Sequence, residues 1–460
     1  MILKIKITSL IILLSIGTLV IGGILMIGFF IHTSDMSNFD RRDLAKKLLL
    51  PYNTISKQDE IITSQENYLK EFYENIPLLD KAFKQNYEIV KTKKLESVKL
   101  KNDYTLLKYK LTDGFYSGIN NIYPGSGFID SHLEKIIILS ARGFLGFSSI
   151  DENEFSFQKI NNNIEEFINS NQFNKNRSYS IKDLTIYKDN IFVSFTEEIK
   201  PDCFNTSVIY GKFNYKNIYF KKIFSAKNCI HSKNNLDDEF EPNQSGGRVV
   251  ILDDDHILLS IGDYRQRYLA QKKNSVNGKI LKININNSKY KIISMGHRNP
   301  QGLYFDKENN FVLVTEHGPQ GGDEINLIQF NVSKKNDLPN YGWPISSAGE
   351  HYGGKVPSNN ERYKKYPLHK SHKKYGFIEP LKSFVPSVAI SEIVKIDKKE
   401  YIASTLRSKS LYKFKLNDEN KIINVAKIPV YERVRDLKFI DNKLYLFLEN
   451  TASIGIVSFK

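Results

Sequence analysis

The apolar and polar positions of this chain change rhythm twice. From Ile7 to Ile31 there are 25 residues without a charge. As a helix at 1.5 Å per residue that run is roughly 37 Å long, enough to cross a hydrocarbon core of about 30 Å. Residues 35–95 then read as helical. Ile61, Ile62, Tyr68, Leu69, Phe72, Tyr73 and Ile76 recur at helical spacing, and Pro51 and Pro77 break the run into pieces. From about residue 96 short β-rich runs alternate with Gly, Asn and Asp turns. The pattern predicts a transmembrane anchor over 1–34, a short helical stalk over 35–95 and an all-β domain over 96–460.

Six stretches of the β region share one grammar: a β run, a polar turn, then a second apolar run ending at or near Ser or Thr. They start at Gly127, Ser180, Gly247, Gln301, Val388 and Val434, at spacings of 53, 67, 54, 87 and 46. These spacings bracket the period of a propeller blade with loop insertions. Each hairpin supplies two strands of a four-stranded blade, and runs such as 278–287 and 410–420 supply outer strands. The count argues for a six-bladed β-propeller around a central channel, with a large β-sandwich as the alternative.

The apolar run ends in FFIHTSD, without the small-residue site of a cleaved signal peptide, so an uncleaved anchor is expected. Lys4 and Lys6 argue for a cytoplasmic N-terminus, whereas Arg41, Arg42, Lys46 and Lys47 oppose it by simple counting. Cys203 and Cys229 lie symmetrically about residue 216 in a segment that reads as a hairpin turning at Asn214–Asn217. That geometry brings the two thiols within disulfide reach, the alternative being two unrelated buried thiols. A disulfide implies an oxidising compartment. The expected location is the inner membrane, single-pass, with the propeller on the periplasmic side.

Composition narrows the partners. Hydrophobic residues make 41% and charged residues 25% of 460, which excludes a disordered chain and a multi-span membrane protein. Two Cys exclude a disulfide scaffold or an all-Cys metal cluster. The net charge is +15, yet Lys and Arg form no block of the kind a nucleic-acid groove needs. The excess is read as a solvated surface, or as one suited to an anionic small ligand or a membrane surface.

The chemistry-bearing residues fall in loops beside the inner hairpins. Arg298, Arg407, Arg433 and Arg435 converge on one channel mouth, and guanidinium forks suit a planar polycarboxylate. Asp323 and Glu324, beside Gly-rich backbone, are candidates for a hard cation such as Ca²⁺. The alternative is turn carboxylates that cap local backbone. His297 and His317 are weaker metal candidates.

GHRNPQGLYFD, TEHGPQGGDEINLI and NYGWP, in that order and spacing, resemble the glucose/sorbosone dehydrogenase family. The resemblance covers about 245–350 and 400–440, matches 100–240 only in strand pattern, and does not reach 1–95. It implies a six-bladed propeller that carries pyrroloquinoline quinone (PQQ) and Ca²⁺ and oxidises aldoses to lactones outside the cytoplasm. By resemblance, Arg298 and Asn299 face cofactor and sugar, Arg407 replaces a Lys that grips the quinone, and Arg433 and Arg435 bind its carboxylates. The carbonyls of Gly318 and Pro319 hold one Ca²⁺. Glu324 and the Tyr341 carbonyl hold a second, structural Ca²⁺.

One departure stands out. The family places a His four residues before the Arg of its GGR motif, as the base that takes the sugar C1 hydroxyl proton. Here that position is Gln244, and a neutral amide cannot accept a proton. A second departure lies near Arg177 to Ser180, where the family has a Gln that touches cofactor and substrate. Two main readings follow: a membrane-anchored sugar dehydrogenase with an altered site, or a non-catalytic propeller that binds a glycan, anion or protein at the channel mouth. A Ca²⁺-dependent hydrolase shares the architecture but not the motifs.

Overall fold

The computed structural model describes residues 88–458 apart from 96, 102–103, 112–125, 151–153, 177, 331–337 and 353–359. The expected anchor and nearly all of the expected stalk lie outside the described residues. Among the described residues no helix is long and apolar enough to cross a membrane.

Each of the six hairpins reads out as the start of an antiparallel sheet. Their first strands are β1 (Gly127–His132), β2 (Ile181–Tyr187), β3 (Gly246–Asp253), β4 (Pro300–Asp306), β5 (Ile390–Asp397) and β6 (Val434–Ile440). Each pairs with the next strand in sequence and the sheet grows outward, as in the run Gly246–Asp253, His256–Ile261, Lys279–Asn284, Tyr290–Met295. The first strands pack on one another in a ring: β1 on β2, on to β6, and β6 back on β1. The described fold is all-β and propeller-like, with few short helices.

The second strand of each hairpin is buried along most of its length. Ile136 to Ser140, Ile257 to Ile261 and Phe311 to Glu316 are continuous examples. Such a strand is covered on both faces by neighbouring sheets, which explains why it reads as an unbroken apolar run. The core divides accordingly into layers between adjacent sheets. Ile137 and Leu139 of the first sheet meet Ile191 and Val193 of the second. Leu258 and Ile280 of the third meet Val312 and Val314 of the fourth. Tyr445 and Phe447 of the last meet Ile136 and Ile138 of the first.

Closure uses an early segment of the chain. The last sheet runs Val434–Ile440, Lys443–Leu448, Ser453–Ser458 and then Thr105–Leu111 as its outer strand. Ile89–Lys94, expected at the end of a helical stalk, is instead a strand between Thr105–Leu111 and Ser156–Lys159. The β domain therefore reaches back to Ile89. Non-local pairing on both edges sets the strand state here, which local apolar spacing cannot register.

Carboxylates pin the inner strands. Asp130 accepts the Ile186 amide, Asp183 the Val249 amide and Asp436 the Ile129 amide, each at 2.7 Å. Arg248 lies among them, 2.8 Å from Asp183, 2.7 Å from Asp436 and 2.9 Å from Glu392. Burial raises the pKa of all three carboxyls, and the guanidinium opposes the rise. One buried cation thus ties β2, β3, β5 and β6 together.

Cys203 and Cys229 are joined in a disulfide with Cα atoms 5.3 Å apart. The strand Cys203–Lys212 folds back through Lys221–Ser225 and Ile230–His231, with Cys203 opposite His231. The turn lies where the symmetry of the two Cys predicts it.

Candidate functional site

A cavity of about 430 Å³ opens at one end of the ring. Its wall takes residues from all six hairpins or the loops beside them. They include Lys182, Gln244, Arg298 and Asn299, the Gly318–Pro319 turn, and Arg407, Arg433 and Arg435. The structure thus gathers ten of the thirteen candidate residues singled out from the sequence, with His297, Glu324 and Tyr341 outside this wall. Glu324 and Tyr341 line a separate small recess behind His317 and Gly318.

The arginines are held in place from behind. Glu449, buried, accepts from Arg433 Nε at 2.9 Å and from Arg435 Nε at 2.7 Å, and these cations hold its carboxyl below the usual range despite burial. Arg435 also reaches Gln301 Oε1 at 3.3 Å. Arg298 donates to the His317 carbonyl at 2.9 Å and to the Tyr352 hydroxyl at 3.1 Å, and lies over the Trp343 ring. Arg407 is exposed on the turn after the second strand of the β5 hairpin. Arg248, Arg265 and Lys182 also line the cavity, against the carboxylates Glu241 and Asp323, so the field in it favours anions.

Asn299 lines the cavity and is also tied to the neighbouring loop. Its Oδ1 accepts the Gly246 amide at 3.1 Å and the Gln301 amide group at 2.9 Å, and its Nδ2 donates to the Asn243 carbonyl at 3.2 Å. It therefore braces the loop that carries Gln244. Gln244 itself is 4% exposed, and its Oε1 has no hydrogen-bond partner. A buried acceptor left this way costs free energy unless a ligand donates to it.

The carbonyl turn is fixed by Asp323. This carboxylate accepts from the amides of Gly318 at 3.1 Å and Val388 at 2.9 Å and from Ser387 Oγ at 2.7 Å. It is a brace between loops. Gly318 is packed so tightly that a Cβ there would lie 2.1 Å from the Gly322 carbonyl oxygen. His297 is fully buried, hydrogen-bonded to Ser294 at 2.8 Å and stacked on Tyr341, which makes it a core residue. His317 is different: its buried Nε2 has no partner, and burial holds the imidazole below its usual range.

In the recess, Glu324 and the Tyr341 carbonyl meet at a side chain absent from the sequence reading. His372 Nδ1 is 2.9 Å from the Tyr341 carbonyl oxygen and its Nε2 is 3.3 Å from Glu324 Oε1. The imidazole occupies the gap that a structural cation between those two ligands needs. As these side chains stand, the second Ca²⁺ does not fit.

Lys182 was also missed, because spacing alone does not place it. It lies at the start of β2, partly buried on the cavity wall, and donates to the Ser178 carbonyl at 2.6 Å. Burial and then the nearby Arg435 push its amine down to about 7.

A family model described as Glucose / Sorbosone dehydrogenase matches residues 185–455. The aldose sugar dehydrogenase YliI of Escherichia coli is 29% identical over 184 residues, 36% of this chain and 45% of that protein. Quinoprotein glucose dehydrogenase B of Acinetobacter calcoaceticus is 35% identical over 128 residues, 21% of this chain and 25% of that protein. The chain thus spans half or less of the length of these curated relatives. The solved apo-form of the soluble aldose sugar dehydrogenase from Escherichia coli shares the fold, with a TM-score of 0.56 at 20% identity over 73% of this chain and 96% of that one.

Proposed function

Because the chain belongs to the glucose/sorbosone dehydrogenase family, we propose that its β domain is a six-bladed propeller that binds PQQ and Ca²⁺ and oxidises an aldose at C1 to the lactone. The observation that carries this reading is the cavity itself, which gathers six arginines, the Gly318–Pro319 turn and the unpartnered Gln244 Oε1. Its volume lies in the ~300–1,000 Å³ range of small-molecule sites. The donor set fits the cofactor: arginine forks suit carboxylates and backbone carbonyls suit a hard cation. When bound, the quinone supplies the two-electron acceptor.

The residues of this chain do the rest. Arg433 and Arg435, aligned by Glu449, grip carboxylates, with Arg407 at the rim. The carbonyls of Gly318 and Pro319 hold the cation on a turn braced by Asp323. Arg298 and Tyr352 close one side of the cavity. Gln244 Oε1 accepts a hydrogen bond from a sugar hydroxyl, on a loop fixed by Asn299.

We place the domain outside the cytoplasm, tethered by the apolar run 7–31 to the membrane, with a sugar as partner and no nucleic acid. The disulfide supports an oxidising compartment. A second reading, a non-catalytic propeller that binds a glycan, anion or protein at the same mouth, is favoured by one observation: Gln244 cannot take a proton. Adding PQQ and Ca²⁺ to the purified protein separates the two. A stoichiometric quinone absorbance that an aldose bleaches supports the dehydrogenase. No bound quinone gives the cavity to another anion.

A further inference from the structure

Oxidising a C–OH group to C=O by hydride loss from carbon also releases one proton from the hydroxyl. The group that receives it must reach the cavity, carry a lone pair near neutral pH and be held in place. The arginines stay protonated and the Gln244 amide takes no proton. Asp323 is engaged by Gly318, Ser387, Val388 and Ile390.

Lys182 meets the three requirements. Its stem crosses Gly247 so closely that a Cβ on that glycine would lie 2.3 Å from Lys182 Cβ and 2.9 Å from Cγ. Gly247 has φ +118°, and it follows Gln244 by three residues. A glycine there lets the lysine run along the wall beside the Gln244 loop, and both side chains line the same cavity. One N–H is anchored on the Ser178 carbonyl at 2.6 Å. Among the described residues no carboxylate lies within ion-pair distance of the amine. The charged groups that face it are Arg435, which disfavours its protonation, and Glu241, which favours it.

We propose that Lys182 is the proton acceptor of the oxidation, taking the C1 hydroxyl proton on its Nζ lone pair while Gln244 holds a sugar hydroxyl. This rests on the dehydrogenase reading above. The O–H bond breaks and its electron pair becomes the new C=O bond. The C1 hydrogen leaves with its electron pair to the bound quinone. The sugar is oxidised to the lactone, the quinone is reduced by two electrons, and Lys182 becomes an ammonium that returns its proton to solvent.

The test uses the full chain as wild type, Lys182→Met and Lys182→Arg, with PQQ and Ca²⁺. Three quantities are read: bound-quinone absorbance, the rate at which an aldose bleaches it from pH 5 to 9, and the melting temperature without cofactor. Both variants should bind quinone as wild type does. Bleaching should fall at least 10²-fold in both, the lower end of what a positioned base contributes, and the wild-type rise centred near pH 7 should vanish.

The melting data check the amine without activity. A folded-state amine near 7 against 10.5 unfolded makes the buried charge costly below pH 7, and that cost fades as pH rises toward 10.5. Lys182→Met should therefore raise the melting temperature relative to wild type at pH 6 and not at pH 10. Quinone binding with an unchanged rate and pH profile in Lys182→Met overturns the proposal, and the acceptor is then Glu241 or His317. A melting difference that does not vary with pH also overturns it. Wild type that binds no quinone sinks the dehydrogenase reading itself, and this assignment with it.

Discussion

Gln244 is a buried amide with an acceptor and no donor to satisfy it, on a loop held by Asn299 and by the Tyr264 amide at 2.9 Å. Such an atom is suited to recognising a hydroxyl. Gln244→Ala should raise the KM for an aldose roughly 3- to 10-fold, the worth of one net hydrogen bond of about 1 kcal/mol. The pH profile should keep its shape, because the amide holds the substrate and does not titrate. A lost pH dependence would make Gln244 part of the proton path. Motif spacing brought Gln244 and the arginines into view, since they sit in recognisable runs such as GHRNPQG and RVRD. Lys182 was invisible there. Its importance comes from Gly247, 65 positions away, leaving room for its stem.

At the scale of loops and strands, two pieces of the fold depend on partners far away in sequence. The strand residue Glu324 is joined to the Tyr341 turn by His372, which sits in the long excursion between Asp323–Gln329 and Lys382–Phe384. That excursion is also why the spacing of 87 exceeds the others. Glu324→Gln should lower the melting temperature by the same amount in Ca²⁺ and in chelator, because the partner lost is an imidazole. A loss confined to Ca²⁺ would restore a cation to this recess. The other piece is Thr105–Leu111, which completes the last sheet. Leu106 is fully buried there, packed with Leu437, Leu446 and Val457. Leu106→Ala should cost about 2–5 kcal/mol in urea denaturation, against less than about 0.5 for Leu236→Ala on the surface. Equal costs would mean that this strand does not close the ring. The six hairpins were legible because turn residues and apolar runs are local signals. The closing strands were not, because IVKTKK carries no local mark of which edges it will join.

The whole ring behaves as one object because its core lies between sheets and its cavity draws on most of them. Ligand binding should therefore stabilise the entire domain: PQQ with Ca²⁺ at 100 times Kd should add about 2.7 kcal/mol, read as one cooperative transition at higher temperature in calorimetry. Two separate transitions, one of them unmoved, would show that the sheets melt independently. The seam also has a consequence in time. Thr105–Leu111 leaves the ribosome roughly 340 residues before its partner Ser453–Ser458. At about 5–20 residues per second the wait is roughly 20–70 s. Throughout it, a β-prone segment with open backbone groups is exposed to other nascent chains. Its sequence, TLLKYKL, alternates lysine with apolar residues, and the neighbouring IVKTKK adds three more lysines. Lysine on an unpaired edge repels a second copy of itself. In the finished ring one of these charges, Lys108, meets Glu432 at 3.0 Å, so the feature that guards the unfinished chain becomes a contact of the completed one.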